Sequence, residues 1–203
     1  MKRESATLPR GKFATLKIMF RSLQYRNYRL FFGGQSISLI GTWIQRIALP
    51  WLVYRLSGSP FLLGLVGFTG QIPTFLLSPF AGVVVDRWNR HRILIVTQIL
   101  AMIQALILAA LFFGGGIKVW HIILLAALLG CVNAFDMPAR QSFVIEMVEK
   151  KEDLGNAIAL NSSMVNSARL LGPSIAGVLI AAVGEGICFL LNGLSYLFVI
   201  ASL

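Results

Sequence analysis

Arg46 is the single charge between Phe31 and Tyr54, and Arg169 the single charge between Asn161 and Gly184. Each stands four residues before a proline, Pro50 and Pro173. A proline inside a helix removes the hydrogen bond to the carbonyl four residues back. The carbonyls of Arg46 and Arg169 are therefore freed next to two guanidiniums. At the centre of a bilayer each arginine costs about 2.5–3.5 kcal/mol if nothing compensates it. Groups of this kind face a bundle interior or a wet path. Their chemistry is the holding of an anion or of a group that couples to an ion. The alternative is pairing with the carbonyls of a neighbouring helix or a carboxylate from elsewhere.

Polar side chains accompany both arginines. Gln35, Ser38, Thr42 and Gln45 recur at steps of three and four, which places them on one helical face with Arg46 at its edge. Ser162, Asn166 and Arg169 form a second stripe, and Asn133 and Gln71 are placed to extend it. Stripes on several spans predict a wet central cavity; interhelical hydrogen bonding is the other reading. Bond-making chemistry has no support. The chain has no G-x-S-x-G, no H-E-x-x-H and no phosphate-binding glycine loop, and neither His91 nor His121 has a catalytic partner near it in sequence. The reading is a non-enzyme without cofactor or metal.

The elements that carry these residues are membrane spans. Hydrophobic residues make up 57% and charged residues 13%, against roughly 25% charged in soluble domains. Mean hydropathy is +0.77. Phe61–Val85 and Ile93–Ile117 are each 25 residues without a charge, longer than the ~20 needed to cross a bilayer. With Phe31–Tyr54, Val119–Phe135, Asn161–Gly184 and the run from Gly186 to Leu203, six spans are expected. The sixth reads as cut rather than finished. Asp86 to Arg92 forms a seven-residue turn joining the second and third spans. Asp136–Leu160 is the only long connection; in it Phe143, Val144, Met147 and Val148 share a face that would lie on the membrane surface, and Asp153 is placed to cap the fifth span.

Charge follows topology. Of 18 Lys and Arg, eight precede Phe31, three lie in the Asp86–Arg92 turn, and Arg140, Lys150 and Lys151 lie in the later loop. Only Arg55 and Lys118 fall on the opposite side. This positive-inside asymmetry puts the N-terminus in the cytoplasm, and it accounts for the net charge of +10 without nucleic acid. Phe13, Leu16, Phe20 and Leu23, with Lys12, Lys17 and Arg21 between them, fit an interfacial helix; a basic tail that only sets topology fits as well. Cys131 and Cys188 fall near opposite membrane faces and read as packing residues.

Two motifs resemble the major facilitator superfamily. Gly82-x-Val84-Val85-Asp86-Arg87-x-Asn89-Arg90-His91 resembles its loop signature between helices two and three. Ala168-x-x-x-Gly172-Pro173-x-x-Ala176-Gly177 resembles the fifth-helix signature of its antiporters, and on its own spacing reads as a small-residue contact face for another helix, one outside this chain included. Arg26-Asn27-Tyr28-Arg29-Leu30, Gly33-Gly34-Gln35 and Pro138-Ala139-Arg140-Gln141 are similar to the multidrug and enterobactin-exporter branch. Asn89 stands where the family has glycine, a position Asn tolerates by entering the left-handed region. No charge lies between Leu124 and Asn133, where many proton-coupled antiporters carry an arginine.

The resemblance implies an all-α membrane protein whose six helices form one half of a twelve-helix fold. Residues 1–29 would be a basic cytoplasmic segment and residues 30–203 the N-terminal bundle, with a C-terminal half missing. It implies that Asp86 meets that other half, and that Arg90 pairs with Asp136 in a latch with Gly82, Asp86 and Arg87. The expected function is export of small amphiphilic or anionic compounds, drug-like or siderophore-like, through the cell membrane by alternating access. Protons are the candidate coupling ion, and the absent fourth-helix arginine counts against them. The expected substrate and coupling residues are Arg46, Gln35, Ser38, Thr42, Gln45, Asn133, Asn166 and Arg169. A lysolipid transporter of the same fold, or a truncated scaffold without transport, are the rival readings.

Topology is directly testable. With Cys131 and Cys188 replaced, a cysteine at Gly115 is expected to react with an impermeant reagent in intact cells, and one at Lys151 only after lysis. Equal labelling of both would overturn the orientation.

Overall fold

The computed structural model describes residues 20–148 and 150–203; the expected role of Phe13 and Leu16 lies outside them. A 3-10 turn, Arg21–Gln24, leads into α1 (Arg26–Ser57), α2 (Pro60–Arg87), α3 (Arg90–Phe113), α4 (Val119–Glu146), α5 (Lys151–Val183) and α6 (Glu185–Ser202). Helices α2 to α6 are each long and apolar enough to cross a membrane. At 32 residues α1 is long enough too, but Gln35, Ser38, Thr42, Gln45 and Arg46 lower its hydropathy.

Turn chemistry sets the ends. Gly58 closes α1 at φ 61°, a left-handed geometry that glycine adopts without strain. Ser59 then caps α2 through its hydroxyl, with Pro60 in the first turn. The charged turn is shorter than expected: only Trp88 and Asn89 separate α2 from α3. Asn89 is not left-handed. Its φ is −67°, and its side-chain oxygen accepts from the Arg92 amide as the cap of α3.

The long connection also dissolves. α4 runs on to Glu146 and α5 starts at Lys151, so Asp136–Leu160 is mostly helix. The charges of Asp136 and Arg140 do not end α4, because they pair one turn apart on it. Phe143, Val144, Met147 and Val148 pack inward. They close the end of the bundle that holds the start of α1, against Tyr28, Phe31 and Leu160, with the Phe31 and Phe143 rings edge to face at 5.8 Å.

α1 packs chiefly on α6 and α5, α4 on α2 and α3, and α3 on α6. Exchanging α1, α2 and α3 for α4, α5 and α6 maps these pairs onto one another. The bundle is thus two three-helix repeats, a relation the sequence does not display; consecutive spans cross in opposite directions, so the repeats are inverted. The main apolar core, with Ile44, Leu52, Leu108, Ile122 and Phe189, sits between α1, α3, α4 and α6. The small-residue face of α5 has its partner inside the chain. Ala168, Gly172 and Ala176 are buried, and Trp43 of α1 packs so closely that a Cβ on Gly172 would lie 2.3 Å from its own Cβ.

Gly172→Ala is therefore expected to destabilise the bundle by about 1–3 kcal/mol through overpacking. Gly155→Ala, on the same helix with open space around it, should be neutral or stabilising by up to about 1 kcal/mol. Thermal unfolding in detergent checks both, and equal shifts would remove the close-contact argument.

Candidate functional site

Two polar layers lie within the bundle. In the first, Gln45 donates to the Gln104 side chain at 3.1 Å and accepts from Asn192 at 2.8 Å. Ser195 donates to the Asn192 carbonyl at 2.7 Å. These groups tie α1, α3 and α6 together out of reach of solvent, as buried polar groups must be tied. Gln35 and Ser38 are buried as well and do not line the cavity. Glycines let α6 come close on that side, since Cβ atoms on Gly34 and Gly41 would meet α6 atoms at 2.5 and 2.6 Å. The α1 stripe is thus divided: Gln35 and Ser38 are buried against neighbouring helices, Gln45 is bonded across to α3 and α6, and Thr42 and Gln45 reach the cavity.

The second layer centres on Asp136, which is 5% exposed. One carboxylate oxygen accepts from Thr97 at 2.9 Å and from Gln98 at 2.6 Å. The other is bonded to Arg140. The expected Arg90–Asp136 pair is not formed. Arg90 is the first residue of α3, whereas Asp136 lies level with Thr97, about two turns deeper at 1.5 Å per residue. Arg90 instead bonds Glu146 at the end of α4 and stands 3.9 Å from Asp86. Asp86 and Arg87 are exposed, and a side chain grown at Gly82 would meet no atom within 4 Å of its Cβ.

Between these layers lies a cavity of about 300 Å³. Thr42, Gln45, Arg46, Asn133 and Asp136 line it, so the structure brings together five of the expected residues from α1 and α4. Asn166 and Arg169 are not on its wall. They lie with Ser162 on an exposed face of α5, where Asn166 donates to the Ser162 carbonyl. Arg169 still approaches the site: its guanidinium carbon is 5.8 Å from the centre of the Trp43 ring, and that of Arg46 is 4.9 Å from the same ring. Trp43, Gln98, Arg140, Gln141 and Tyr196 are also on the wall, with apolar side chains such as Leu39, Leu129 and Val165 between them. Spacing along the chain does not single these residues out, although Gln98 and Gln104 inside a 25-residue charge-free run are a readable sign of an interior polar partner.

Two ion pairs hold α1 in place. At the N-terminal end of α1 Asp153 is fully buried in the first turn of α5. It does not cap that helix. Arg21 stands 2.7 Å from one carboxylate oxygen, and Gln24 and Tyr25 donate to the other. Ser22 and Tyr28 donate to the Asp153 and Ala157 carbonyls. Burial first, and then the bond to Asp153, push the Tyr25 hydroxyl above its usual pKa. At the other end Arg55 pairs at 2.9 Å with Glu185, which is buried in the first turn of α6. Both acids sit where the helix N-terminus favours negative charge.

Residues 19–203 match the family described as transmembrane secretion effector. The chain is similar to a staphyloferrin A transporter of Staphylococcus aureus, 30% identical over 83% of this chain and 42% of the relative. It is similar to macrolide efflux protein A of Streptococcus pyogenes, 25% identical over 77% and 39%. It is also similar to the multidrug efflux pump Tap of Mycolicibacterium fortuitum, 28% identical over 71% and 36%. The chain thus spans about two fifths of the length of the relatives it matches.

The rearranged partners make a measurable difference. Breaking the buried Asp136–Arg140 contact by Asp136→Ala is expected to cost about 3–5 kcal/mol, and Arg90→Ala on the surface pair about 0.2–1 kcal/mol. The two losses should add, because the residues share no partner, while Arg90→Ala and Glu146→Ala should not. Strong coupling between Arg90 and Asp136 in a double-mutant cycle of thermal unfolding would restore the direct pair.

Proposed function

Because the chain belongs to the transmembrane secretion effector family of the major facilitator superfamily, we propose that this multi-pass membrane protein is the N-terminal half of an exporter of small amphiphilic or anionic compounds. It works by alternating access against a second six-helix half, in the cell membrane, with its N-terminus in the cytoplasm. One observation carries this reading: a cavity lined by Arg46, Asn133, Asp136 and Arg140 lies within a bundle otherwise built from apolar helices. Charged groups held at membrane depth mark substrate and ion paths. The relatives include a transporter of staphyloferrin A and efflux proteins for macrolides and multiple drugs, which supports the direction of transport. No chemistry on the substrate is required.

Protons are the coupling ion in this reading. Asp136, the carboxylate on the cavity wall, ties Arg140, Thr97 and Gln98 together, and loss of its charge would release all three. The turn residues Gly82, Asp86, Arg87 and Arg90 act as the conformational latch, with Glu146 as the partner of Arg90. The open space at Gly82 and the exposure of Asp86 leave room there for the second half.

The test uses the full-length protein in proteoliposomes with a panel of siderophores and drugs. Substrate flux driven by a pH gradient is expected, and Asp136→Asn should lower that flux by loosening the hold on Arg140. Residues 1–203 alone should insert and give no flux, because one half offers one wall of the path. Flux by the fragment at the full-length rate, or flux indifferent to the gradient, would refute the reading.

A further inference from the structure

A second recess lies on the outer side of Arg46, separate from the polar cavity. It has a volume of about 720 Å³ and is lined by α1, α2 and α5, with Ile47, Pro50, Trp51, Leu63 and Ile180 on its walls. The walls are apolar, and Arg46 is the one charged side chain on them. On α1, Arg46, Pro50 and Tyr54 follow one another at four-residue steps; on α5, Arg169, Pro173, Gly177 and Ala181 do the same. Residues so spaced share one face of a helix. The two helices run in the same direction, since an even number of crossings separates them. Both arginines therefore lie at the inner end of the two stripes.

The arginines converge on one side chain. Their guanidinium carbons are 4.9 and 5.8 Å from the centre of the Trp43 ring. Among the described residues the ion pairs use Arg21, Arg55, Arg90 and Arg140, and neither Arg46 nor Arg169 takes part in one. Two guanidiniums beside one indole ring, with no carboxylate paired to either among the described residues, repel each other and call for an anion between or beside them. An indole face can hold a cation, but it cannot neutralise two. The planar fork of arginine suits a carboxylate held through two bonds.

We propose that the recess is a binding site for an amphiphilic carboxylate whose head lies at Arg46 and Arg169 against Trp43 and whose apolar body extends outward along the α1–α5 groove. This rests on the exporter reading and narrows its substrate class: anionic amphiphiles bind, and lipophilic cations of the same size do not. Charge complementarity selects the occupant. An apolar groove alone would take any lipid tail, but the Arg46 guanidinium on its wall, with that of Arg169 beside the same indole, selects the head group. Gly177 supports the route, because it has open space where a side chain would stand and lines the groove directly outward of Arg169.

The experiment uses the full-length protein in phosphatidylcholine nanodiscs and three probes with one apolar body: pyrenebutyrate, pyrenebutanol and a pyrenebutyl trimethylammonium salt. Energy transfer from tryptophan to pyrene reads binding. Pyrenebutyrate is expected to bind at least about tenfold more tightly than the cation, in line with bonds to charged groups. Arg46→Gln and Arg169→Gln should each weaken pyrenebutyrate by about tenfold and leave pyrenebutanol unchanged, which also shows that the variants are folded. Arg46→Lys should keep the preference for the anion with lower affinity. Leu63→Trp should weaken all three probes alike.

Equal affinity for the three probes would overturn the proposal. So would pyrenebutyrate binding untouched by both glutamine substitutions, which would mean that the second half neutralises the arginines. Loss of pyrenebutyrate binding when phosphatidylglycerol replaces part of the lipid would assign the site to a phospholipid head group instead. These outcomes are independent of flux. A transporter that moves drugs but shows no anion preference here would retain the exporter reading and lose this one; anion-selective binding without flux would do the reverse.

Discussion

α1 is too polar to face lipid, and most of the bundle is arranged around that constraint. Gln35, Ser38 and Gln45 would be costly in hydrocarbon, where each polar group needs a partner. The other helices enclose them: α6 comes close at Gly34 and Gly41, α5 at Trp43, and α3 sends Gln104 across to Gln45. The ends of α1 are pinned by Asp153 and Glu185, each in the first turn of the helix that walls one side. A pair that is buried on one member gives little net stability, since desolvation offsets attraction. What these pairs fix is position: α1 cannot slide along its axis without breaking one of them.

The same constraint explains why the functional residues sit where they do. Once the inner stripe of α1 is spent on helix contacts, only its edge, from Thr42 to Arg46, is left for the cavity. α4 answers from the other side with Asn133 and Asp136. The two helices hold equivalent places in the two repeats, so the polar cavity lies on the pseudo-axis relating them. Both repeats also use one close contact of small residues, Trp43 on Gly172 between α1 and α5, and Gly70 on Gly130 between α2 and α4. The contacts are equivalent in the architecture and share a glycine, Gly172 and Gly70, but set Trp43 in one repeat against Gly130 in the other.

Much of the topology was readable because lipid imposes a simple rule: charge-free runs near 20 residues long, bounded by Gly58-Ser59-Pro60, Gly114-Gly115-Gly116 and Gly184, became helices at those places. What failed was the use of charge as a marker of a helix end. Asp136 and Arg140 neutralise each other on α4, so their charges suggest a helix end where none exists. The direction of the α1 and α5 stripes was equally illegible. Periodicity shows that Gln35, Ser38, Thr42 and Gln45 share a face; only the packing of α6 and α3 shows that this face is inward, while Ser162, Asn166 and Arg169 look out. The partner of Arg90 depended on depth, since a shared pair of helices does not say which turn faces which.

The grip of the Arg21–Tyr28 segment on the start of α5 also has a bearing on biogenesis. Its hydrogen bonds join residues 128 to 134 positions apart, so they cannot form until α5 has been made. At about 5–20 residues per second, the first helix leaves the ribosome on the order of ten seconds before the helices that satisfy its polar side chains. During that interval α1 must stay beside the insertion machinery or in the interfacial region of the bilayer. The hold on its start therefore closes only once α5 has been made, whereas the contact of Gln45 with Gln104 of α3 is available earlier.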